Sequence, residues 1–203
     1  GAISILAEIA ADEGALVVCF VTMPFSREGS RRTRQAEAAL GELRKVSHAV
    51  ISLPNDLLMQ QIDENATVME AFAIADEWIN QGVRSIWSMS FETGLINVDF
   101  SSLRSALAMT GGKTLFGTGF GQGEDFVGQA LHSLELCPLL HLPENRYVRK
   151  TESLVAQIAG GPDLTMTKVH EVMDYVSEKF GCKESLTFGA VIDGSMQQSL
   201  RIT

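Results

Sequence analysis

Ala15-Leu16-Val17-Val18-Cys19-Phe20-Val21 is a continuous apolar run, rich in valine. Alternation of apolar and polar residues would mark a strand with one wet face. An unbroken run of this length marks a strand buried on both faces, as in a parallel sheet flanked by helices. The sequence on either side agrees. Residues 2–12 are amphipathic, with Ile3, Leu6, Ile9 and Ala10 on one face, and Gly14 sits where a C-cap glycine belongs. After the run comes the loop Met23-Pro24-Phe25-Ser26-Arg27-Glu28-Gly29, then a helix over residues 30–45. A second buried strand, 49–53, ends at Pro54-Asn55-Asp56. Strand, helix, strand of this length is a parallel crossover unit, so the fold class is α/β.

The pattern then changes. Residues 56–62 read as a short helix, and Thr67-Val68-Met69-Glu70 fits a capping box that opens a long helix to about residue 81. Its apolar residues lie on more than one face, so the sequence predicts cover on both sides, as suits a connector between subdomains. Next comes Gly94-Leu95-Ile96-Asn97-Val98-Asp99-Phe100, followed by a helix over 101–109. An amide and a carboxylate held between two helices can orient a water molecule, the chemistry of a nucleotide triphosphatase that works by positioning. Asp99 as a plain helix cap is the alternative. The remainder predicts strands at 114–117 and 153–159, a helix at 124–136, and a turn at Gly160-Gly161-Pro162-Asp163. A strong amphipathic helix follows, marked by Met166, Val169, Val172, Met173, Val176 and Phe180, with Gly181 past its end. Strands 185–192 and 198–203 close the chain, joined by the hairpin signal Asp193-Gly194. A partial nucleotide-binding part with a central helix (1–90) and a small mixed-sheet α+β part (91–203) result.

Composition limits the function. The chain has 203 residues, 45% hydrophobic and 20% charged, ordinary for a globular protein. No apolar run nears the ~20 residues of a membrane span, and no signal-peptide pattern opens the chain. A net charge of −9 and a pI near 4.9 argue against nucleic acid or anionic membrane as partner. Cys19, Cys137 and Cys182 are odd in number and far apart, which fits reduced thiols in a cytoplasm rather than a disulfide framework. His48, His132, His141 and His170 show no ligand pairing, so no metal site is expected. The start at Gly1-Ala2 and the strand-like end at Leu200-Arg201-Ile202-Thr203 read as those of a piece of a longer protein.

Several residues carry candidate chemistry. Gly117-Thr118-Gly119-Phe120-Gly121-Gln122-Gly123 looks like a phosphate cradle between a strand and a helix, which would suit a dinucleotide-dependent oxidoreductase. No parallel strand with an acid follows it, and a flexible glycine loop at a sheet edge is the simpler reading. Gly112-Lys113-Thr114 resembles the end of a P-loop, but the glycine required five residues earlier is Leu107. Arg31, Arg32 and Arg34 form either a solvated face or, through Glu28 and Arg32, part of a crevice at the C-terminal strand ends, where Arg32 could meet phosphate. Phe72 and Asp76 share a helix face. Phe72 could stack on a base and Asp76 could accept from guanine N1 and N2; a core phenylalanine and a surface acid are the alternative.

These pieces converge, and the whole chain resembles the FtsZ family, tubulin-like GTPases that assemble the bacterial division ring. The resemblance rests on Pro24-Phe25 with Glu28-Gly29 and Arg32, on Pro54-Asn55-Asp56, on Ala71-Phe72 through Asp76 to Gln81-Gly82-Val83, and on the 94–100 loop. Gly160-Gly161-Pro162-Asp163-Leu164-Thr165 and Phe188-Gly189-Ala190-Val191-Ile192 add to it. It implies the C-terminal part of a Rossmann-like GTPase domain, a central helix and a smaller C-terminal domain. It also implies GTP and GDP as ligands, with Mg2+ accompanying the nucleotide. Glu28 and Arg32 would contact ribose and phosphates, Asn55 would hold the sugar, Phe72 would stack on guanine and Asp76 would read its edge. Asn97 and Asp99 would lie in a synergy loop (93–102) that enters the next subunit's pocket and activates water there. The implied partners are further copies of the chain, head to tail, and other division-ring proteins, in the cytoplasm at the division site, with no membrane insertion.

Three departures from the family pattern matter. The glycine-rich loop GGGTGTG should immediately precede Ala2, so these residues alone are expected to bind GTP weakly or not at all. Ser102 stands where the family carries a second acid, three residues after Asp99. Hydrolysis is therefore expected to be slow, and Ser102→Asp to raise it. The alternative is a filament-forming scaffold paralogue with little or no GTPase activity. Met23 and Phe126 replace a usual lysine and a usual arginine, which could mark a divergent paralogue.

Overall fold

The computed structural model describes residues 2–58, 67–92, 94–107, 114–140, 151–182 and 185–203. Contacts divide the chain into two units: Gly1–Asn80 with Leu107–Leu115, and Gln81–Ala106 with Phe116–Thr203.

The first unit begins with helix α1 (Ala2–Asp12), strand β1 (Val18–Met23), helix α2 (Ser30–Val46) and strand β2 (Ala49–Pro54). β1 and β2 pair in parallel, from Val18 opposite Ala49 to Met23 opposite Pro54, as the crossover reading requires. Ala49, Val50, Ile51 and Leu53 of β2 are buried. β1 differs from expectation: it is half-buried along most of its length and exposed at Thr22. The reason is its position. β2 has β1 on one side and, on the other, a parallel bridge from Ile51 to Thr114, so among the described residues β1 is the edge. Gly29, with φ at 98°, connects a single 3-10 turn (Ser26–Glu28) to α2, a backbone state that glycine adopts without strain. α1 forms where predicted, and its Ala7 packs with Leu43 and Val50. However, Ile3, Leu6 and Ile9 are more than half exposed.

A short helix, α3 (Asn55–Leu58), follows β2; the rest of the expected 56–62 helix lies outside the described residues. The capping box at Thr67 holds. Glu70 N donates to Thr67 Oγ1 (3.2 Å), and Thr67 N donates back to Glu70 Oε2 (2.6 Å). It opens helix α4 (Val68–Phe91), which continues ten residues beyond the predicted end. Gly82 does not stop it, because Gly82, Ser85 and Met89 form a buried stripe at helical spacing. A mid-helix glycine costs about 1 kcal/mol against alanine, which the helix tolerates here. The predicted cover on both sides is not found: Met69, Phe72, Val83, Trp87 and Phe91 are all exposed.

The second unit contains helix α5 (Phe100–Leu107), strand β3 (Gly119–Gln122), helix α6 (Phe126–Glu135), strand β4 (Leu154–Gly160), helix α7 (Met166–Phe180), and strands β5 (Leu186–Ile192) and β6 (Ser199–Ile202). Residues 108–109 of the helix predicted over 101–109, and Gly112 and Lys113, lie outside the described residues. The sheet order is β3-β6-β4-β5, with β4 and β5 parallel and the other pairs antiparallel, the mixed sheet that the sequence predicts. Its core is continuous; Ala130, Ile158, Val169, Val172, Ala190 and Leu200 have no exposed surface.

Two local readings are corrected. The strand expected at 114–117 reduces to the Thr114 bridge, and the glycine stretch after it is strand β3 rather than a loop or a cradle. Its glycines serve packing. A Cβ at Gly119 would stand 2.3 Å from Ala130 O, and one at Gly121 2.0 Å from Phe126 O, so α6 lies directly on the strand backbone. The Asp193-Gly194 turn does not make a hairpin either. Asp193 N donates to Gly160 O (2.9 Å) and its carboxylate accepts from Ser195 N (2.8 Å), a tight turn after β5 tied to the last residue of β4. β4, with Ala156 and Ile158 buried, lies between the two strands that the turn joins, pairing with β5 on one side and β6 on the other.

Candidate functional site

In the first unit the C-terminal ends of β1 and β2 lie side by side, Met23 opposite Pro54. Ligands of open α/β sheets bind outside such ends. The loop after β1 is tied to the start of α3: Ser26 N donates to both oxygens of Asp56 (3.1 Å each), and Ser26 Oγ to one of them (3.3 Å). Glu28 accepts from Arg32 and from Phe25 N (2.9 Å). The Arg32 hydrogen bond, then the Phe25 amide, hold its carboxyl below the ordinary glutamate range. Glu28, at the end of the 3-10 turn, and Arg32, in the first turn of α2, are thus brought together as one exposed pair across Gly29. Asn55 opens α3 and is buried, and its Oδ1 has no hydrogen-bond partner. An orphaned buried acceptor costs about 1–3 kcal/mol, so a ligand hydroxyl or amine donating to it would be well received. Phe72 and Asp76 lie one turn apart on α4, both exposed, and Phe72 at 47% exposure is no core residue.

The second unit holds the 94–99 loop; Thr93, at the start of the predicted 93–102 stretch, lies outside the described residues. The loop is fastened to the sheet. Ile96 exchanges two backbone hydrogen bonds with Ala190 of β5 (3.1 and 3.0 Å). A Cβ at Gly94 would stand 2.3 Å from Ala190 O, so only glycine lets the chain approach this closely. Val98 is buried against Gly189, which leaves its neighbours Asn97 and Asp99 exposed on either side. Asn97 Oδ1 accepts from Gly94 N (2.7 Å), leaving its NH2 to donate. Asp99 caps α5: Oδ1 accepts from Ser101 Oγ and from Ser102 N (2.9 Å), and Oδ2 from Ser102 Oγ (2.5 Å). Those donors, Ser101 first, hold its carboxyl down to about 2. Capping and exposure therefore coexist at Asp99. Beside the cap, Ser101, Ser102 and Ser105 of α5 face Ser185 and Thr187 across a hydroxyl-lined cleft of about 320 Å3.

Sequence reasoning missed Ser26, Asp56 and Ser101 as structural partners of the site residues. Asp56 is the second residue after a buried strand, where a carboxylate meets backbone amides, and Asp99-Phe100-Ser101-Ser102 is a helix-start pattern. Among the described residues no group of three or more His, Cys, Asp or Glu is placed to hold a metal ion, and no helix is long and apolar enough to cross a membrane. Cys19, Cys137 and Cys182 are free thiols.

Comparison with known proteins adds a second line of observation. Residues 1–63 match the tubulin/FtsZ family, GTPase domain, and residues 112–203 the FtsZ family, C-terminal domain. The chain is 34% identical over 203 residues to the cell division protein FtsZ of Caulobacter vibrioides, covering all of this chain and 39% of that protein. It is 33% identical over 201 residues to cell division protein FtsZ 1 of Archaeoglobus fulgidus, covering 99% of this chain and 53% of that one. The chain thus spans between about a third and about half the length of the relatives it matches. Among solved structures, an empty FtsZ dimer from M. jannaschii superposes with a TM-score of 0.84 at 28% identity, covering 98% of this chain and 56% of that one. CetZ2 of Haloferax volcanii, solved as a GTPgS-bound protofilament, gives a TM-score of 0.71 at 17% identity, covering 98% of this chain and 58% of that one, and shows the shared fold alone.

Proposed function

From the premise that the chain belongs to the tubulin/FtsZ family, we propose that the whole protein is a cell-division GTPase that polymerises head to tail and hydrolyses GTP where two copies meet. The observation that carries this is the 94–99 loop, pinned to β5 through Ile96 and Ala190 with Asn97 and Asp99 exposed. A pinned loop with outward polar groups serves another molecule better than its own.

The strand-end group is the proposed nucleotide site. Arg32 and Glu28 receive phosphate and ribose, and the orphaned Asn55 Oδ1 accepts a sugar hydroxyl. Phe72 offers its exposed ring to guanine, and Asp76 accepts from the N1 and N2 edge. Mg2+ would travel with the phosphates, screening their charge. The described residues offer no carboxylate cluster of their own for it, and no step here depends on it.

Asn97 and Asp99 act on the neighbour's GTP. Phosphoryl transfer needs little covalent help and much positioning. Asp99, ionised and weakly basic, accepts a hydrogen bond from the attacking water, and Asn97 donates from its amide. Water oxygen bonds to the terminal phosphorus, the bond to the bridging oxygen breaks, GDP leaves, and the water proton passes to a phosphate oxygen. Because the loop of one copy meets the nucleotide of the next, the contact is heterologous and builds an open filament. Assembly with other ring proteins at a cytoplasmic division site completes the reading.

Turnover per subunit, measured against protein concentration on the whole protein, tests it. The rate should be near zero below an assembly threshold and rise steeply above it; a rate constant per subunit at every concentration would refute it. Filaments with no phosphate release would favour the scaffold reading, for which Ser102 in place of an acid is the specific support.

A further inference from the structure

Resting on that reading, we infer that Ser101 and Ser102 are positioning residues for Asp99: their hydroxyls lock its carboxylate in one orientation toward the water it holds. The family resemblance treats Ser102 as a lost acid. The geometry gives it a task of its own. Ser101 Oγ and Ser102 N both donate to Oδ1, and Ser102 Oγ donates to Oδ2. An ionised carboxylate offers about four lone-pair sites. With the Ser101 amide also directed at the carboxyl, the donors of this turn engage both oxygens and fix their direction.

Such an arrangement answers a problem of exposure. A carboxylate on a surface loop rotates freely, and a misplacement of about 1 Å can cost about a hundredfold in rate. Hydroxyls on both oxygens stop that rotation, and Leu103, 1% exposed, anchors the helix turn that carries them. The donors are the hydroxyls and amides of the two serines, with no charged side chain among the causes of the depressed carboxyl. Asp99 therefore stays a fixed acceptor at any working pH and does not take up a proton. An acid at position 102 would remove the donor to Oδ2 and set a like charge beside it.

The experiment uses the whole protein with GTP under assembly conditions. Asp99→Ala should abolish hydrolysis. The double variant Ser101→Ala with Ser102→Ala should lose about tenfold or more in kcat with KM unchanged, as lost orientation requires. Ser102→Thr, which keeps the hydroxyl, should stay within about twofold of wild type, and Ser102→Asp should fall. Carbon-13 titration of the Asp99 carboxyl in the GDP-bound monomer is the second readout, and its midpoint should rise from about 2 toward the free value of ~3.9 in the double variant. A midpoint that does not move overturns the inference. So does a double variant with wild-type turnover beside an inactive Asp99→Ala, or a faster Ser102→Asp. If Asp99→Ala itself hydrolyses GTP as wild type does, the parent reading falls and this inference with it.

Discussion

The two units solve the burial problem unequally. The second wraps a four-stranded sheet with α6 and α7 around a continuous core, in which Ile158, Val169, Val172 and Leu200 have no exposed surface. Among the described residues, the first holds a two-stranded sheet with Ala49, Ile51 and Leu53 buried and a cluster of Ala7, Leu43 and Val50, and leaves Ile3, Ile5, Leu6 and Ile9 of α1 exposed. A two-stranded sheet is marginal by itself. The lesson is a difference in core: the unit that presents Asn97 and Asp99 has a continuous core of its own. The unit with the strand-end group leaves one apolar face of α1 in solvent.

The strongest way to break this contrast is to strike the close packing of the second unit. Gly121→Val would force a side chain into space where a Cβ alone stands 2.0 Å from Phe126 O. Overpacking costs about 1–3 kcal/mol and more where backbone blocks relief. The second unit should lose its cooperative transition in circular dichroism, and a normal urea midpoint would contradict the packing account. A gentler comparison cuts one core residue in each unit. Ile158→Ala should cost about 2–5 kcal/mol in urea unfolding. Leu43→Ala should sit at or below the low end of that range, because a small cluster beside exposed surface can collapse around the gap. Equal losses would mean that the first unit has a core as good as the second.

Much of this contrast was legible in the sequence, and the failures are instructive. The valine-rich run at 15–21 marked a parallel strand, and the pairing with β2 bears that out. Its expected burial failed because burial depends on neighbours, and among the described residues β1 is an edge. Glycines at 119 and 121 looked like a loop because glycine spacing alone does not separate a bend from close contact with a helix. Asp193-Gly194 correctly signalled a tight turn, yet which strands flank β4 is a tertiary matter. For the candidate site, the residue types at 28, 32, 55, 97 and 99 were readable as motifs. The orphaned Asn55 oxygen and the Ser101 and Ser102 donors to Asp99 needed coordinates.

The smallest expected effect concerns pH. Asp99 has a folded value near 2, below the ordinary 3.8, so its contribution to the cap is complete above about pH 4 and is lost as pH falls through about 2. Amide exchange at the start of α5 should therefore stay slow down to pH 3 and quicken only below it. Fraying that begins near pH 4 would show that the serine donors do not hold the carboxylate.

The central claim is that an acid and an amide of one copy serve the nucleotide held by another, and mixing tests it most directly. The whole protein carrying Asp99→Ala would bind GTP but bring no working loop, and the protein carrying Asn55→Ala with Arg32→Ala would bring the loop but a crippled pocket. Each alone should hydrolyse little. Mixed in equal amounts, they should recover a substantial fraction of wild-type turnover, because loops of the second kind meet pockets of the first. A mixture that hydrolyses no faster than the two measured apart would contradict catalysis between copies.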